Sequence, residues 1–226
     1  MQRFPRVTAA ALVVAGAMIA VPQVSASTIQ VGIAAFGAGS ALTTFTGLAS
    51  LTEVNGITVD GILFQYSLGN GNVAIGTGPG STNNLAAPSI TSTLNPNGVL
   101  TLTLPSLVDT FGYGYAVFNT ISVANASTIT LFNGATNVGS QSYNGVPDPL
   151  FSGGFAGIQS TLPFDRVQLT FNVAQSPGFA VDNIRTFSTA ATAVPEPASV
   201  MLVGTGVLAL VRTRRRRPRM GAHRPS

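Results

Sequence analysis

The chain lacks several residue types on which enzymes and small stapled domains depend. It has no cysteine, no lysine and no tryptophan in 226 residues, and its one histidine is His223. Disulfides are therefore excluded, and the fold must be stabilised by burial alone. Residues 1–222 also offer no Ser-His-Asp or Cys-His site and no histidine or cysteine ligands for a metal centre. We therefore predict no enzyme, no catalytic residue and no cofactor.

The remaining route to catalysis is a pair of carboxylates, which suffices for glycoside hydrolysis. The candidates before the C-terminal segment are Glu53, Asp60, Asp109, Asp148, Asp165 and Asp182. A glycosidase groove is expected to add aromatic rings that stack on the sugars, and the chain has no tryptophan to supply them. A glycosidase is therefore the less favoured alternative.

Charged residues are scarce, at 8% of the chain, and they are unevenly distributed. Nine of the eleven basic residues lie at the two ends: Arg3, Arg6, Arg212, Arg214, Arg215, Arg216, Arg217, Arg219 and Arg224. Residues 27–197 have two arginines against seven carboxylates, a net charge of −5. Such a surface repels phosphate backbones, so nucleic acid is excluded as a partner despite the formal charge of +4 for the whole chain.

The N-terminal segment has the three parts of a secretory signal peptide. Arg3 and Arg6 supply the positive charge, an apolar run covers 7–21, and Val24-Ser25-Ala26 places small residues at the positions that a signal peptidase recognises. We predict that residues 1–26 are a signal peptide cleaved after Ala26. An uncleaved N-terminal anchor is the alternative.

The C-terminal segment has three parts of its own. Pro195-Glu196-Pro197 precedes an apolar run over 198–211, and an arginine-rich stretch over 212–219 follows it. Arginines cross a bilayer at a high free-energy cost, so Arg212, Arg214, Arg215, Arg216 and Arg217 predict a stop-transfer signal with the preceding chain outside. A helix over these fourteen apolar residues reaches ~21 Å, less than a hydrocarbon core of ~30 Å. The short span favours a segment that is later removed over a permanent single-pass anchor.

This arrangement resembles the PEP-CTERM sorting signal of Gram-negative bacteria that produce exopolysaccharide. The resemblance rests on Val194 to Ser199, on the glycine-interrupted apolar helix that follows and on the basic end. It implies processing near Pro195-Glu196-Pro197 by a membrane protease-transpeptidase called exosortase. It also implies export, transient anchoring in the inner membrane and a final location in the envelope or extracellular matrix. The implied partners are exosortase and the membrane. A carbohydrate-binding module for exopolysaccharide is the alternative function, and it would add this polymer as a partner.

The middle of the chain predicts an all-β domain over 27–190. Apolar and polar residues alternate in 99–104, in 127–132 and in 167–171, and Asn133-Gly134 is typical of a hairpin turn. About ten such short strands, the first of them over 29–35, favour a jelly-roll-like β-sandwich. The second half also resembles a recurring extracellular domain of PEP-CTERM proteins, through the segments 111–113, 127–134, 155–158, 163–167 and 178–184. That resemblance implies a shape like that of carbohydrate-binding modules.

Three polar features of this domain have two interpretations each. Asp182-Asn183 interrupts an apolar strand, so it indicates either a structural Ca²⁺ site completed by a loop carboxylate, or a bulge whose aspartate caps a turn or pairs with an arginine. We favour the bulge. Tyr113, Tyr115 and Tyr143 form either a sugar-stacking platform or a packed face. The glycine-rich segments over 69–72 and 76–80 are either a phosphate cradle or, as we favour, a loop.

Overall fold

The structure is a computed structural model that describes residues 26–82 and 84–189. Eleven strands follow one another along this part of the chain: β1 Thr28–Gln30, β2 Ala41–Thr43, β3 Thr58–Val59, β4 Ile62–Tyr66, β5 Val73–Gly76, β6 Ser89–Ser92, β7 Leu100–Val117, β8 Val123–Asn133, β9 Thr136–Pro147, β10 Ser152–Phe171 and β11 Phe179–Phe187. The described residues contain no α-helix and one 3₁₀ turn, Ile33–Ala35. The prediction of an all-β domain is confirmed.

Most of the predicted targeting residues lie outside the described residues. These are the signal peptide before residue 26, the motif Pro195, Glu196 and Pro197, the apolar run over 198–211, and the stop-transfer arginines 212 and 214–217. Within 26–82 and 84–189, none of the structure has the helical length and apolarity that a membrane crossing requires.

All eleven strands belong to one antiparallel sheet. Its main order is β5-β6-β11-β7-β10-β8-β9, with β1 on β10, β2 on β11, β4 on β7 and β3 on β4. A sandwich prediction implies two separate sheets, and the described strands instead form a continuous one. The reason is the length of β7 and β10, which have 18 and 20 residues. Each of them replaces two shorter strands that the alternation pattern predicts.

The two long strands divide the sheet into two halves. In the β4 half, residues 100–103 of β7 and 166–171 of β10 pair with β4 and β8, and β9 lies beyond β8. In the β11 half, residues 110–117 of β7 and 152–159 of β10 pair with each other, and β11, β6 and β5 continue outward. Register shifts between Gln159 and Arg166 separate the halves along β10.

The halves pack their inner faces against each other. Phe171 of the β4 half stacks on Phe179 of the β11 half, with ring centroids 4.0 Å apart. Tyr66 on β4 also contacts Phe179, at 6.4 Å. The core therefore lies between the two halves of one sheet, and it contains most of the fully buried aromatic and aliphatic side chains.

Local sequence explains this arrangement well in the β4 half. Phe64, Leu102, Val167 and Leu131 are neighbours across β4, β7, β10 and β8, and all four are fully buried. The predicted hairpin is confirmed, because Gly134 has a φ of 56° in the turn that joins β8 to β9. The strand predicted over 29–35 is wrong in its second part, where the 3₁₀ turn occurs, and β2 is not apparent from any pattern.

Candidate functional sites

The outer face of the β4 half is a row of neutral polar side chains. Directly opposite residues of neighbouring strands place Gln65, Thr101, Gln168, Thr130 and Ser140 side by side across five strands. The residues next to them in sequence point into the core, so these amides and hydroxyls lie on the outer side of the sheet. At ~4.8 Å between strands, the row is ~19 Å wide.

Further polar residues extend this row on both sides. Thr170, Thr128 and Ser142 form the next row, and the Thr128 Oγ1 and Ser142 Oγ atoms are 2.8 Å apart. On the other side lie Thr103 and Arg166, whose guanidinium carbon is 4.6 Å from the centre of the Phe132 ring. We call this surface the polar face; its members are Gln65, Thr101, Thr103, Thr128, Thr130, Phe132, Ser140, Ser142, Arg166, Gln168 and Thr170. It carries the chemistry of a hydrogen-bonding surface for a neutral, hydroxyl-rich ligand.

The three tyrosines considered as a stacking platform are in the core. Tyr113 and Tyr115 are at most 1% exposed and Tyr143 is 8% exposed, so the platform interpretation is wrong. Burial raises the pKa of all three phenols. Each hydroxyl has a partner: Tyr113 contacts the Ser127 hydroxyl, Tyr115 donates to the Asn144 carbonyl at 3.0 Å, and Tyr143 donates to the Gly157 carbonyl at 2.6 Å.

Four of the six carboxylates considered for glycoside hydrolysis accept hydrogen bonds from distant backbone N–H groups: Glu53, Asp109, Asp165 and Asp182. Glu53 accepts from Gly71 at 2.9 Å, and Asp165 accepts from Gly134 at 3.0 Å. Asp109 accepts from the N–H of Thr189 at 2.8 Å. These acceptors fasten loops and chain ends to the sheet, a role that disulfides often fill in small exported domains.

Of these carboxylates, Asp182 joins the two residues that lie farthest apart in the sequence. Its Oδ2 accepts from the N–H of Ala86 at 3.0 Å, while the side chain of Asn183 donates to the Asn84 carbonyl at 2.7 Å. The β11–β7 register shifts between Asp182 and Arg185, and Asn183 has a φ of 50°. The bulge interpretation is therefore confirmed, with the aspartate capping the 77–88 loop.

The Asp182 side chain is almost fully buried, at 1% exposure, and its Oδ1 has no hydrogen-bond partner in the described part of the protein. Burial raises the pKa of this carboxyl, and the N–H groups of Asn183 and Ala86 oppose the shift. No group of three or more Asp, Glu, His or Cys side chains able to hold a metal ion occurs among residues 26–82 and 84–189. The loop carboxylate that the Ca²⁺ interpretation requires is absent from the described residues at this position.

The glycine-rich segments form turns rather than an anion cradle. In the β4–β5 turn, the N–H of Gly71 donates to the Glu53 carboxylate, and the Asn72 side chain donates to the Leu68 carbonyl at 3.0 Å. A carboxylate thus occupies a donor that a phosphate would need. The loop interpretation is supported.

A separate pocket lies where the two ends of the described domain meet. Its volume is about 490 Å³, and its lining includes Ser27, Asp109, Thr161 and Thr189. No sequence pattern predicts it, because its residues come from four segments far apart in the chain. The one sequence signal next to a residue of this pocket is the predicted cleavage after Ala26, which would make Ser27 the first residue of the mature chain.

The comparisons with known proteins concern different parts of the chain. A family model described as the PEP-CTERM protein-sorting motif matches residues 193–217, so the chain carries this motif as the sequence predicts. No curated protein matches the chain.

Solved structures that resemble the fold include carbohydrate-binding modules of family 29. A CBM29-2 mutant has 9% identity and a TM-score of 0.35, and the match covers 70% of this chain and 99% of that one. A family 29 module has 11% identity and a TM-score of 0.34, over 69% of this chain and 95% of that one. Scores and identities this low support no assignment of a ligand or of binding residues.

Proposed function

Because the chain carries a PEP-CTERM sorting motif at residues 193–217, we propose that it is a non-enzymatic exported protein of the cell envelope or extracellular matrix. An exosortase processes it through this motif. The motif match is the observation on which the proposal depends. The partners are the exosortase and, for a limited time, the inner membrane.

Each part of the two targeting segments has a physical role in this proposal. Signal peptide removal after Ala26 leaves Ser27 as the first residue. Pro195 and Pro197 fix φ and prevent a helix from starting before residue 198, which leaves an extended segment accessible to a protease. Glu196 is the charge in its middle, suited to a strong hydrogen-bonded pair with an arginine of the enzyme.

The distance between the β domain and the motif is short. Only five residues separate Thr189 from Pro195, so the six Cα–Cα steps between them span at most ~22 Å when fully extended. The domain is thus held close to the membrane surface until the tail is cut. Removing the tail releases it into the envelope or matrix.

Substitutions in the motif test the proposal. Glu196→Ala, or Pro195→Ala with Pro197→Ala, is expected to leave export intact and to stop tail processing, so that the uncleaved protein accumulates in the inner membrane. The measurement is the intact mass of the protein from membrane and released fractions of a host that has its exosortase. Thr192→Ala is the matched control just before the motif. Normal processing of the Glu196 and proline variants would show that the segment is only an anchor.

We propose that residues 27–190 form one independent domain, a jelly-roll-like sandwich made by folding one sheet over itself. The stacking of Phe171 on Phe179 supports this, because it joins the two halves without any residue of the tail. A fragment over 27–190 is expected to be a β-rich monomer. A far-ultraviolet circular dichroism spectrum dominated by helix or disorder would contradict the proposal.

A second candidate function is the binding of exopolysaccharide by the polar face. It is favoured by one observation, the row of neutral amides and hydroxyls across five neighbouring strands. Such amides and hydroxyls can both donate hydrogen bonds to sugar hydroxyls and accept them. The exported protein is then retained on a column of polysaccharide from its own host. A purely structural matrix protein passes through.

A further inference from the structure

The pocket between the two chain ends holds the first residue of the proposed mature protein. Ser27 pairs with Thr161 through three hydrogen bonds. Its N–H donates to the Thr161 Oγ1 at 3.0 Å, and its carbonyl accepts from the Thr161 N–H at 3.0 Å and from the Thr161 hydroxyl at 3.5 Å. Ser27 therefore continues the pairing of β1 with β10, and its nitrogen has a fixed position.

The same pocket has one charged side chain among the described residues that line it, that of Asp109. Its Oδ1 accepts from the Thr110 hydroxyl at 2.7 Å, and its Oδ2 accepts from the N–H and the hydroxyl of Thr189. A carboxylate has about four acceptor positions, so Oδ1 can accept another donor. No cation among the described lining residues balances its charge.

We propose that this pocket is a binding site for the α-ammonium group that signal peptide removal creates at Ser27. The inference rests on the proposed cleavage after Ala26. Hydrolysis of the Ala26–Ser27 peptide bond leaves a carboxylate on Ala26, which departs with the signal peptide, and an amine on Ser27 that takes up a proton. One N–H of this ammonium keeps the bond to Thr161, and the other two are available to the acceptors that line the same pocket, among them the Asp109 carboxylate.

The site connects the two processing events of the chain. Asp109 already holds Thr189, after which the linker to Pro195 begins. An ammonium in the pocket gives this carboxylate its counter-charge, so N-terminal cleavage stabilises the point from which the sorting tail departs. The exported precursor lacks that charge at Ser27, because its nitrogen is still an amide.

The absence of lysine makes the site measurable. The α-amino group of the mature chain is its only primary amine, so an acylating N-hydroxysuccinimide ester reports on this one position. The test uses the exported protein, and intact mass first establishes that the chain starts at Ser27. The rate of single acylation is then followed by mass. A chain that starts elsewhere overturns the cleavage proposal, and with it the site.

The comparison needs two variants and one control. Asp109→Asn removes the charge and keeps the shape, and two glycines inserted between Ala26 and Ser27 move the amine away from the pocket. Both are expected to acylate about three to five times faster than the unchanged protein, the effect of a partly exposed ion pair. Asp60→Asn removes the same charge at an exposed turn outside the pocket lining, and it is expected to acylate at the unchanged rate.

The two variants fail in different ways, which keeps the inference testable. If Asp109→Asn does not fold, the glycine insertion leaves every side chain of the pocket in place and decides alone. Equal rates in the unchanged protein and the glycine insertion, with the chain starting at Ser27, would overturn the site and leave the cleavage proposal standing.

Discussion

The two halves of the sheet share the long strands β7 and β10, but their outer faces differ in exposure. In the β4 half, Leu100 and Leu102 are buried while Thr101 and Thr103 face outward. In the β11 half, every residue from Phe111 to Val117 is buried. One half therefore has a core on one side and an open surface on the other, and the second half is covered on both sides.

Loops cover the second half, and glycines make the covering possible. The Phe36 and Phe155 rings lie against Gly112, with 5.6 Å between their centroids in an edge-to-face arrangement. The Asn84 carbonyl lies against Gly114. The large side chains of Phe111, Tyr113 and Tyr115 point inward, and the glycines between them leave room for loops outside.

The largest effect on the free energy of unfolding is expected where the loop that contains Asn84 contacts the sheet. Gly114→Ala places a Cβ against the backbone of Asn84, and backbone cannot move aside as a side chain can. We expect a loss of about 3 kcal/mol in the free energy of unfolding. Urea unfolding of the exported protein measures it.

Gly37→Ala is the matched control, because no atom lies within 4 Å of the Cβ it adds. It is expected to change the free energy of unfolding by less than about 0.5 kcal/mol. Equal stabilities of the Gly114 and Gly37 variants would show that the loop does not press on the β11 half.

The contrast between the halves also explains what sequence could predict. The alternation of apolar and polar residues identifies the inner residues of the β4 half, because one face of that half is buried and the other is exposed to solvent. In the β11 half the outward positions of β7 are glycines and an alanine, and their pattern does not reveal that Asn84, from a loop 30 residues earlier, covers Gly114. The sequence does not predict the polar face either, since only the strand register brings Gln65, Gln168 and Ser140 together.

The next effect concerns the carboxyl that fastens this loop. Asp182→Ala removes the acceptor for the Ala86 N–H and should lower stability by about 1–2 kcal/mol near pH 4. Burial raises the pKa of Asp182 above its ordinary 3.8, so the folded state holds a proton more tightly than the unfolded state. The contribution of Asp182 to the stability of the unchanged protein therefore falls as pH rises from the unfolded pKa through the folded one.

The alanine variant lacks this fall, so the stability lost on substitution is smaller at pH 7 than near pH 4. Urea unfolding at both pH values measures the difference. Asp60→Asn, which removes a carboxylate at an exposed turn, is the control. A loss that grows with pH would mean that the carboxylate is stabilised in its charged form.

A smaller effect is expected at the contact between the halves. The Tyr113 hydroxyl, on the β11 half, contacts the Ser127 hydroxyl on β8 of the β4 half. Tyr113→Phe is expected to lower stability by about 1 kcal/mol. In a double-mutant cycle with Ser127→Ala, the coupling energy should be of the same size, and a coupling near zero would show that the hydroxyls do not join the halves.

The smallest effect on stability is expected on the polar face. Substitutions there distinguish the open half most clearly from the covered one. Gln65→Ala with Gln168→Ala removes two amides of the central row, and since neither packs in the core, stability should change by less than about 0.5 kcal/mol each. If the face binds exopolysaccharide, this variant loses retention on the polysaccharide column while it keeps its unfolding curve. Gln175→Ala, an exposed glutamine before β11, should keep both. A hydrogen-bonding row loses affinity when its central donors and acceptors are deleted. Full retention of the double variant would therefore mean that the protein binds the polysaccharide through other residues, and that the central row of the polar face is not the binding site.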